Sequence, residues 1–198
     1  MSMDRFYPIF DDVSWLQRML PLGVRLVQLR LKDRGEADLR QQIVQARDLC
    51  RLHGAVLVVN DHWQLAIEAG CDFLHLGQED LDTADLPAIR RAGLRLGIST
   101  HDRAELDRAL ALAPEYIALG PVYPTILKQM KWQQQGLERL TEWKRLVGNI
   151  PLVAIGGMSV ARAAGAFAAG ADIVAAVTDI TLNPDPETRA TEWLGATR

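Results

Sequence analysis

The stretch Val56-Leu57-Val58-Val59-Asn60-Asp61 is a continuous apolar run of strand length that ends in two polar residues. A segment of helical periodicity, residues 62–69, and then Gly70 follow it directly. Continuous apolar runs are typical of strands that are buried on both faces of a parallel sheet. The stretch therefore predicts one strand–loop–helix unit, with the polar pair at the carboxyl end of its strand.

The same unit recurs eight times over the 198 residues, at about 25 residues per unit. The predicted strands are residues 6–10, 26–30, 56–59, 73–76, 95–98, 116–119, 152–155 and 173–177. The predicted helices are residues 13–20, 37–53, 62–69, 83–92, 103–113, 137–147, 160–169 and 186–194.

Eight alternating strand–helix units fit two architectures, a closed (β/α)8 barrel, or TIM barrel, and an open doubly wound sheet. Short loops favour the barrel, as does the absence of a Gly-x-Gly-x-x-Gly dinucleotide motif after the first strand. No Pro-, Gly- or Ser-rich linker divides the sequence. We therefore expect an α/β protein in which residues 1–198 form a single (β/α)8 barrel domain.

The predicted helix over residues 37–53 has one apolar face. Its apolar residues recur at steps of three and four and form a stripe of Leu39, Ile43, Ala46, Leu49 and Leu52. Glycines that end helices in the left-handed conformation are expected just before strands, at Gly23, Gly70, Gly93 and Gly170.

The composition excludes several classes of protein. The 22 Lys and Arg and 25 Asp and Glu residues give a formal net charge of −3, with no basic stretch that would indicate a nucleic-acid partner. The apolar runs are too short to span a membrane, and residues 1–5 are not followed by the apolar core of a signal peptide. We therefore expect a cytoplasmic protein, with Cys50 and Cys71 reduced and structural. Trp15, Trp143 and Trp193 are expected to pack on helices.

The active site of a (β/α)8 barrel lies at the carboxyl ends of its strands. At the end of the second predicted strand, Gln28, Arg30 and Lys32 alternate, so an extended chain would place them on one face. An amide and two cations on one face suit a phosphate or diphosphate. The alternative is a basic strand end that only faces solvent.

Carboxylates follow the next two strands. Asp61 comes after Asn60, and Asp80 ends the segment Gly77-Gln78-Glu79-Asp80. Neighbouring strands lie about 4.8 Å apart, and Mg²⁺ is often held by one or two carboxylates together with substrate phosphate oxygens. The sequence thus offers a magnesium site, with helix capping by Asp61 and turn formation by Asp80 as the alternatives.

The segment Ser99-Thr100-His101-Asp102 follows the fifth strand and contains the residue types of a catalytic triad. Adjacent residues cannot adopt the geometry of a triad, so that function is not expected. Ser99 is the better candidate for contact with a ligand, and His101 is expected to be a loop histidine. Asp102 or Thr100 is expected to cap the next helix.

The last three loops offer further anion contacts. Residues 120–136 form the only long predicted loop, and we expect its Lys128 to reach over the mouth of the barrel as a lid cation. The pair Gly156-Gly157 follows the seventh strand and Thr178 follows the eighth, which are the loops that often bind a phosphate in barrels.

Taken in order along nearly the whole chain, these motifs resemble the thiamine-phosphate synthase family. The matching segments are Gln28-Leu29-Arg30-Leu31-Lys32, Val59-Asn60-Asp61, His75-Leu76-Gly77-Gln78-Glu79-Asp80, Gly97-Ile98-Ser99, Gly120-Pro121-Val122-Tyr123-Pro124-Thr125, Lys128 and Ala154-Ile155-Gly156-Gly157. The resemblance implies a (β/α)8 transferase with small-molecule substrates. It would join 4-amino-2-methyl-5-hydroxymethylpyrimidine diphosphate to a thiazole phosphate, releasing diphosphate and forming thiamine phosphate.

The resemblance also implies a role for each matching residue. Those implied to hold the pyrimidine diphosphate are Gln28, Arg30, Lys32, Asn60, Ser99 and Lys128. Those implied to lie against the thiazole phosphate are Thr125, Gly157, Val177 and Thr178. Asp61 and Asp80 are the implied ligands of a Mg²⁺ cofactor. The residues expected to act in catalysis are Arg30, Lys32, Ser99 and Lys128, with the cations stabilising charge on the departing diphosphate.

Three departures from the family pattern lie in the half of the site for the thiazole phosphate. Leu127 replaces a threonine, Trp132 adds bulk to the same loop, and Asp179 brings a carboxylate that should repel phosphate unless its side chain turns away. Two alternatives remain open, a thiazole tautomerase-like relative and a barrel with impaired turnover that serves as a binding or regulatory module. The sequence leaves the oligomeric state open, a homo-oligomer included, as well as the form of the thiazole substrate.

Overall fold

The computed structural model describes residues 3–125 and 134–198. Within these ranges, eight strands form a closed barrel in chain order, and each is parallel to both of its neighbours. The strands are β1 Phe6–Phe10, β2 Leu26–Leu29, β3 Val56–Asn60, β4 Phe73–Leu76, β5 Arg95–Thr100, β6 Tyr116–Leu119, β7 Leu152–Ala154 and β8 Ile173–Ala176. The predicted (β/α)8 barrel is confirmed.

Helices connect the strands on the outside of the barrel. They are α1 Val13–Met19, with a 3-10 turn Leu20–Leu22 after it, α2 Glu36–His53, α3 Trp63–Glu68, α4 Gln78–Thr83, α5 Leu86–Arg91, α6 Arg103–Ala111, α7 Gly136–Val147, α8 Val160–Ala168, α9 Thr178–Thr181 and α10 Pro186–Thr197. The sequence pattern does not predict α4 and α9, because such short helices contain too few residues to show periodicity. No helix of the described residues is both long and apolar enough to cross a membrane.

The apolar core has an inner and an outer part. Inward-facing residues of alternate strand positions fill the barrel, among them Tyr7, Leu26, Val58, Phe73, Tyr116, Val153 and Ile173. The larger outer part lies between the strands and the helices, and there Trp143 and Trp193 are fully buried, as predicted. Cys50 and Cys71 are buried free thiols, also as predicted.

The Tyr116 ring occupies the barrel interior because its neighbour on β5, Gly97, has no side chain. The two residues are register partners in the β5–β6 pair. A Cβ atom on Gly97 would lie 2.1 Å from Cζ of Tyr116, far inside van der Waals contact. The ring also packs against Phe73 and Tyr7, with centroid separations of 5.6 Å and 5.8 Å.

The glycines predicted to end helices are confirmed, but the predicted buried face of α2 is wrong at one residue. Gly23, Gly70, Gly93 and Gly170 all have positive φ, between 65° and 105°. In α2, Leu39, Ile43 and Ala46 are buried and Leu49 is half-buried. Leu52 is 78% exposed, so its place in the buried stripe was wrong. At about 100° per residue it lies half a turn around the helix from Ile43, and Cys50 is buried instead.

We expect Gly97→Ala to lower the free energy of unfolding by about 1–3 kcal/mol, the usual cost of overpacking a filled core. Urea denaturation measures the change. The matched control is Gly195→Ala in α10, where an added Cβ would meet no atom within 4 Å. This substitution should stabilise the protein by roughly 0.5–1 kcal/mol, because alanine is the better helix former. Equal stabilities of the two variants would contradict this description of the barrel interior.

Candidate active site

The carboxyl ends of β2 to β5 bring several predicted polar residues to one end of the barrel. Asn60 is the last residue of β3 and lies opposite His75 of β4. His75 in turn lies opposite Gly97, and Ser99 follows two residues further along β5. Gln28, Asn60 and His75 are buried, whereas Ser99 is half-buried. This end of the barrel is called the mouth below.

Two carboxylates and a lysine meet at the mouth. Asp61 has a left-handed backbone, with φ of 63°, and its amide donates to the His75 carbonyl at 3.0 Å. Its side chain accepts a hydrogen bond from Lys32, and its negative charge acts on the neighbouring Asp80 carboxyl. The alternative that Asp61 caps the next helix is wrong, because the N-cap position of α3 belongs to His62.

The second carboxyl, Asp80, lies in the first turn of α4, where it also accepts from the Gly77 amide at 3.3 Å. Burial, followed by the negative charge of Asp61, raises the pKa of Asp80. The described residues hold no cluster of three or more His, Cys, Asp or Glu side chains suited to a metal. Two neighbouring carboxylates that repel each other are nonetheless a sufficient protein contribution for Mg²⁺, which keeps water and phosphate ligands.

The two cations after β2 differ in their surroundings. Lys32 is paired with Asp61. The guanidinium of Arg30 is exposed and has no ion-pair partner in the described part of the chain. Its positive charge reaches the site, since it contributes to the low pKa of His75. Gln28 lies deeper than these cations, with its side chain buried in the barrel, while the intervening Leu29 and Leu31 pack in the outer core.

A hydrogen-bonded network of five side chains crosses the barrel interior beneath the mouth. Gln28 Nε2 is 2.8 Å from the Tyr7 hydroxyl, which is 2.9 Å from the Tyr116 hydroxyl. The Tyr116 hydroxyl is 2.7 Å from His75 Nδ1, and His75 Nε2 is 2.7 Å from Ser99 Oγ. These five residues are called the interior network below.

Burial decides the charge state of this network. It lowers the pKa of His75 to about 4, with a smaller contribution from the nearby Arg30 charge, so the imidazole is neutral at neutral pH. Burial also raises the pKa of both Tyr7 and Tyr116, so both hydroxyls keep their protons. The sequence assigned no role to Tyr7, His75 or Tyr116, although polar residues within apolar strand runs were a signal for them.

The neighbouring Gln78 holds Ser99 from a second side. Its Nε2 donates to the Ser99 backbone carbonyl at 2.7 Å. Its Oε1 atom is buried and finds no hydrogen-bond partner among the described residues. As expected, Ser99, His101 and Asp102 form no catalytic triad, since His101 bonds Glu105 and Asp102 caps α6 through the Glu105 amide. Both residues thus take the structural roles expected for them.

The loops after β6 and β7 pack closely, which explains the glycine pair. Amides of Val122 and Tyr123 donate to the carbonyls of Ile155 and Gly156, at 2.9 Å and 3.0 Å. Gly157 has a φ of 62°, and a Cβ atom there would lie 2.3 Å from the Pro124 carbonyl oxygen.

Of the remaining predicted contacts to a thiazole phosphate, Thr125 lies in the loop after β6, whereas Val177 and Thr178 follow β8. Thr125 and Val177 are half-buried, and Thr178 is the first residue of α9. Leu127, Lys128 and Trp132 lie outside the described residues.

The side chain of Asp179 turns away from the mouth. Its Oδ2 accepts a hydrogen bond from the Trp193 indole at 2.8 Å and lies 3.9 Å from Arg189 Nε. Trp193 is buried in the outer core, where it stacks on Phe6 with centroids 5.3 Å apart. The carboxylate therefore belongs to the contact between α9 and α10, and the repulsion considered for it has no basis in this geometry.

Comparison with known proteins finds one family over most of the chain. The model of the family described as thiamine monophosphate synthase matches residues 6–180. A Rhizobium etli protein named thiamine-phosphate synthase is 60% identical over 197 residues, covering 100% of this chain and 97% of that protein. A Klebsiella pneumoniae protein of the same name is 48% identical over 191 residues, covering 96% of this chain and 87% of that protein.

A solved structure supports the same grouping. The thiamine phosphate pyrophosphorylase of Pyrococcus furiosus superposes with a TM-score of 0.87 at 25% sequence identity. The superposition covers 98% of this chain and 95% of that one.

We expect Asp80→Asn to stabilise the protein freed of divalent cations by about 0.5–2 kcal/mol at pH 7, the range of single stabilising substitutions. Because folding raises the pKa of Asp80, its charged form destabilises the folded state, and this effect is absent below the ordinary aspartate pKa, near 3.9. The gain over wild type should therefore disappear at pH 3. Urea denaturation in EDTA measures it.

The control for this prediction is Asp82→Asn in the same short helix, where the carboxylate pairs with exposed Arg108. This variant should show no gain at either pH. A wild-type protein as stable as Asp80→Asn at pH 7 would contradict the inferred repulsion.

We expect Asp179→Ala to cost about 1–3 kcal/mol of stability, because it leaves the buried Trp193 indole N–H without an acceptor. The affinity for a thiazole phosphate should not rise, because the carboxylate does not face the mouth. Denaturation and a titration with that ligand check both statements, with Asp179→Asn as the variant that keeps an acceptor. A gain in affinity on removal of the carboxylate would show that Asp179 does face the phosphate.

Proposed function

We propose that this chain, which belongs to the thiamine monophosphate synthase family, brings its two substrates together at the mouth of its barrel. Members of this family are transferases of thiamine biosynthesis, and the reaction of this chain is the formation of thiamine phosphate. The observation that carries the proposal is the meeting of Asp61, Asp80 and Lys32 near Arg30, whose guanidinium has no ion-pair partner among the described residues.

The diphosphate of the pyrimidine substrate is proposed to bind at the cationic side of the mouth. Arg30 supports this assignment because its guanidinium is exposed and without an ion-pair partner in the described ranges, which leaves its donors available. Lys32 is within reach of the same place because it already contacts Asp61. Asn60 and Gln28 line the barrel just below, and Lys128 is proposed as a further cation from the loop after β6.

Mg²⁺ is the proposed cofactor, with Asp61 and Asp80 as its protein ligands. The fit rests on two neighbouring carboxylates, of which Asp80 has a pKa raised by burial and by the charge of Asp61, because a divalent cation would compensate their repulsion. When bound, Mg²⁺ would supply positive charge to the diphosphate oxygens. Lys32 supplies one positive charge to this pair, and its side chain is 46% exposed.

The proposed reaction requires stabilisation of the negative charge on the departing diphosphate, and it requires no protein nucleophile. The bond between the pyrimidine methylene carbon and the diphosphate oxygen breaks, and the diphosphate leaves with the bonding electrons. Arg30 and Lys32 stabilise the negative charge that develops there. The electron-rich aminopyrimidine tolerates positive charge on the methylene, and the thiazole nitrogen forms the new bond with its lone pair. Ser99 is proposed to hold the pyrimidine in position for this transfer.

The thiazole phosphate is proposed to lie against Thr125, Gly157, Val177 and Thr178. The close packing of the loops after β6 and β7 supports this, since it brings Pro124 and Gly157 into contact and so fixes where the phosphate would approach. We further propose that residues 1–198 act as one domain in the cytoplasm, on small molecules alone.

The test is a product assay with both substrates, in excess Mg²⁺ and in EDTA. Thiamine phosphate should form only with Mg²⁺. Arg30→Gln should lower kcat/KM about 10²-fold, the usual effect of removing a donor that stabilises developing charge. The control is Arg25→Gln at the amino end of the same strand, where the guanidinium donates to the His53 carbonyl.

The outcomes separate the parts of the proposal. No product from wild type at saturating Mg²⁺ and substrates would overturn the activity itself. Equal activity of the two arginine variants would overturn only the role of Arg30. Full activity in EDTA would overturn the role of the metal.

A further inference from the structure

The interior network ends at Ser99, the residue proposed to contact the pyrimidine substrate. Its other members lie deeper, and Tyr7 and Tyr116 are 1% and 0% exposed. Around them the barrel is filled by apolar side chains such as Val58, Phe73 and Val153. Polar side chains in such surroundings are costly unless every hydrogen bond is made, and fully bonded networks hold their members rigidly. Filling the barrel does not by itself explain why these five positions carry polar side chains.

The Gln28 side chain, at one end of the network, decides which groups donate and which accept along it. Gln28 contacts the Tyr7 oxygen through its amide nitrogen, which can only donate. The Tyr7 oxygen accepts this bond, and the described residues offer the Tyr7 hydrogen no acceptor other than the Tyr116 oxygen, so we direct it there. The Tyr116 hydrogen is then directed to Nδ1 of His75. A neutral imidazole that accepts at Nδ1 carries its proton on Nε2.

The same direction fixes the role of the Ser99 hydroxyl. Its oxygen accepts from His75 Nε2–H at 2.7 Å, which leaves the serine hydrogen for another acceptor. The described part of the chain offers no other hydrogen bond to this hydroxyl, while Gln78 holds the Ser99 carbonyl. The hydrogen is thus available to a ligand in the mouth.

We propose that His75 and Tyr116 are positioning residues that hold the Ser99 hydroxyl as a hydrogen-bond donor toward an acceptor atom of the pyrimidine diphosphate. This inference rests on the proposed function, because it needs Ser99 to contact that substrate. His75 acts directly on Ser99, and Tyr116 acts through His75 by fixing its tautomer and ring orientation.

The first test is a kinetic cycle of Tyr116→Phe and Ser99→Ala. Tyr116→Phe should lower kcat about ten- to hundredfold, the effect of a slightly misplaced contact group, with little change in KM. In the Ser99→Ala background it should lower kcat no further, because its effect passes through that hydroxyl. The control is Thr100→Val, which removes a buried hydroxyl from the outer face of the same strand and should leave kcat unchanged.

A second test compares two replacements of His75. The amide of glutamine reaches the position of Nε2 and can still donate to Ser99, whereas the shorter asparagine reaches only the position of Nδ1. His75→Gln should therefore retain most of kcat, and His75→Asn should lose it about as Ser99→Ala does. This comparison decides the proposal even if Tyr116→Phe fails to fold.

The failures of the two proposals are distinguishable. If Ser99→Ala leaves kcat unchanged in an active enzyme, the proposed role of Ser99 itself is wrong. If Ser99→Ala lowers kcat but Tyr116→Phe lowers it equally in both backgrounds, the positioning role is overturned and the network is structural. Equal kcat values for His75→Gln and His75→Asn would also overturn it.

Discussion

A closed barrel of eight strands must fill its own interior, and here the Tyr116 ring occupies much of that space. The ring requires a glycine opposite it at position 97 and packs on Phe73 and Tyr7. Its hydroxyl, buried among apolar side chains, must also be hydrogen-bonded, and the partners available are Tyr7 and His75. Packing and hydrogen bonding at Tyr116 thus fix the positions of the side chains that lie directly beneath the mouth.

The mouth combines groups that are individually unfavourable. Asp61 has a left-handed backbone and Asp80 has a raised pKa beside it, with Lys32 as the compensating cation. Arg30 adds positive charge without an ion-pair partner in the part of the chain that the structure describes. Without ligands, these neighbouring charges lower the stability of the folded protein. A divalent cation and a diphosphate bound at the mouth would balance them.

The sequence predicts the fold well because each strand–helix unit carries its own local signals. All eight strands and the glycine ends of helices follow from apolar runs and periodicity. Leu52 was misplaced because three successive steps of three residues separate it from Ile43, and each step falls about 60° short of a full turn, which adds up to half a turn. The carboxylate pair was predictable because adjacent strands place their ends together. The hydrogen-bond partners of Tyr7, Tyr116 and Asp179 could not be predicted, because each bond depends on how side chains from segments far apart in sequence point toward each other.

The protonation of His75 tests most directly whether the barrel interior orients the mouth. Nitrogen NMR of protein labelled at its histidines, with His75→Gln used to identify the signals, reports which ring nitrogen carries the proton at neutral pH. A neutral ring protonated at Nε2, with Nδ1 as an acceptor, agrees with a network that runs from Gln28 to Ser99. A proton on Nδ1 would reverse the hydrogen bonds and contradict the donor role of the Ser99 hydroxyl.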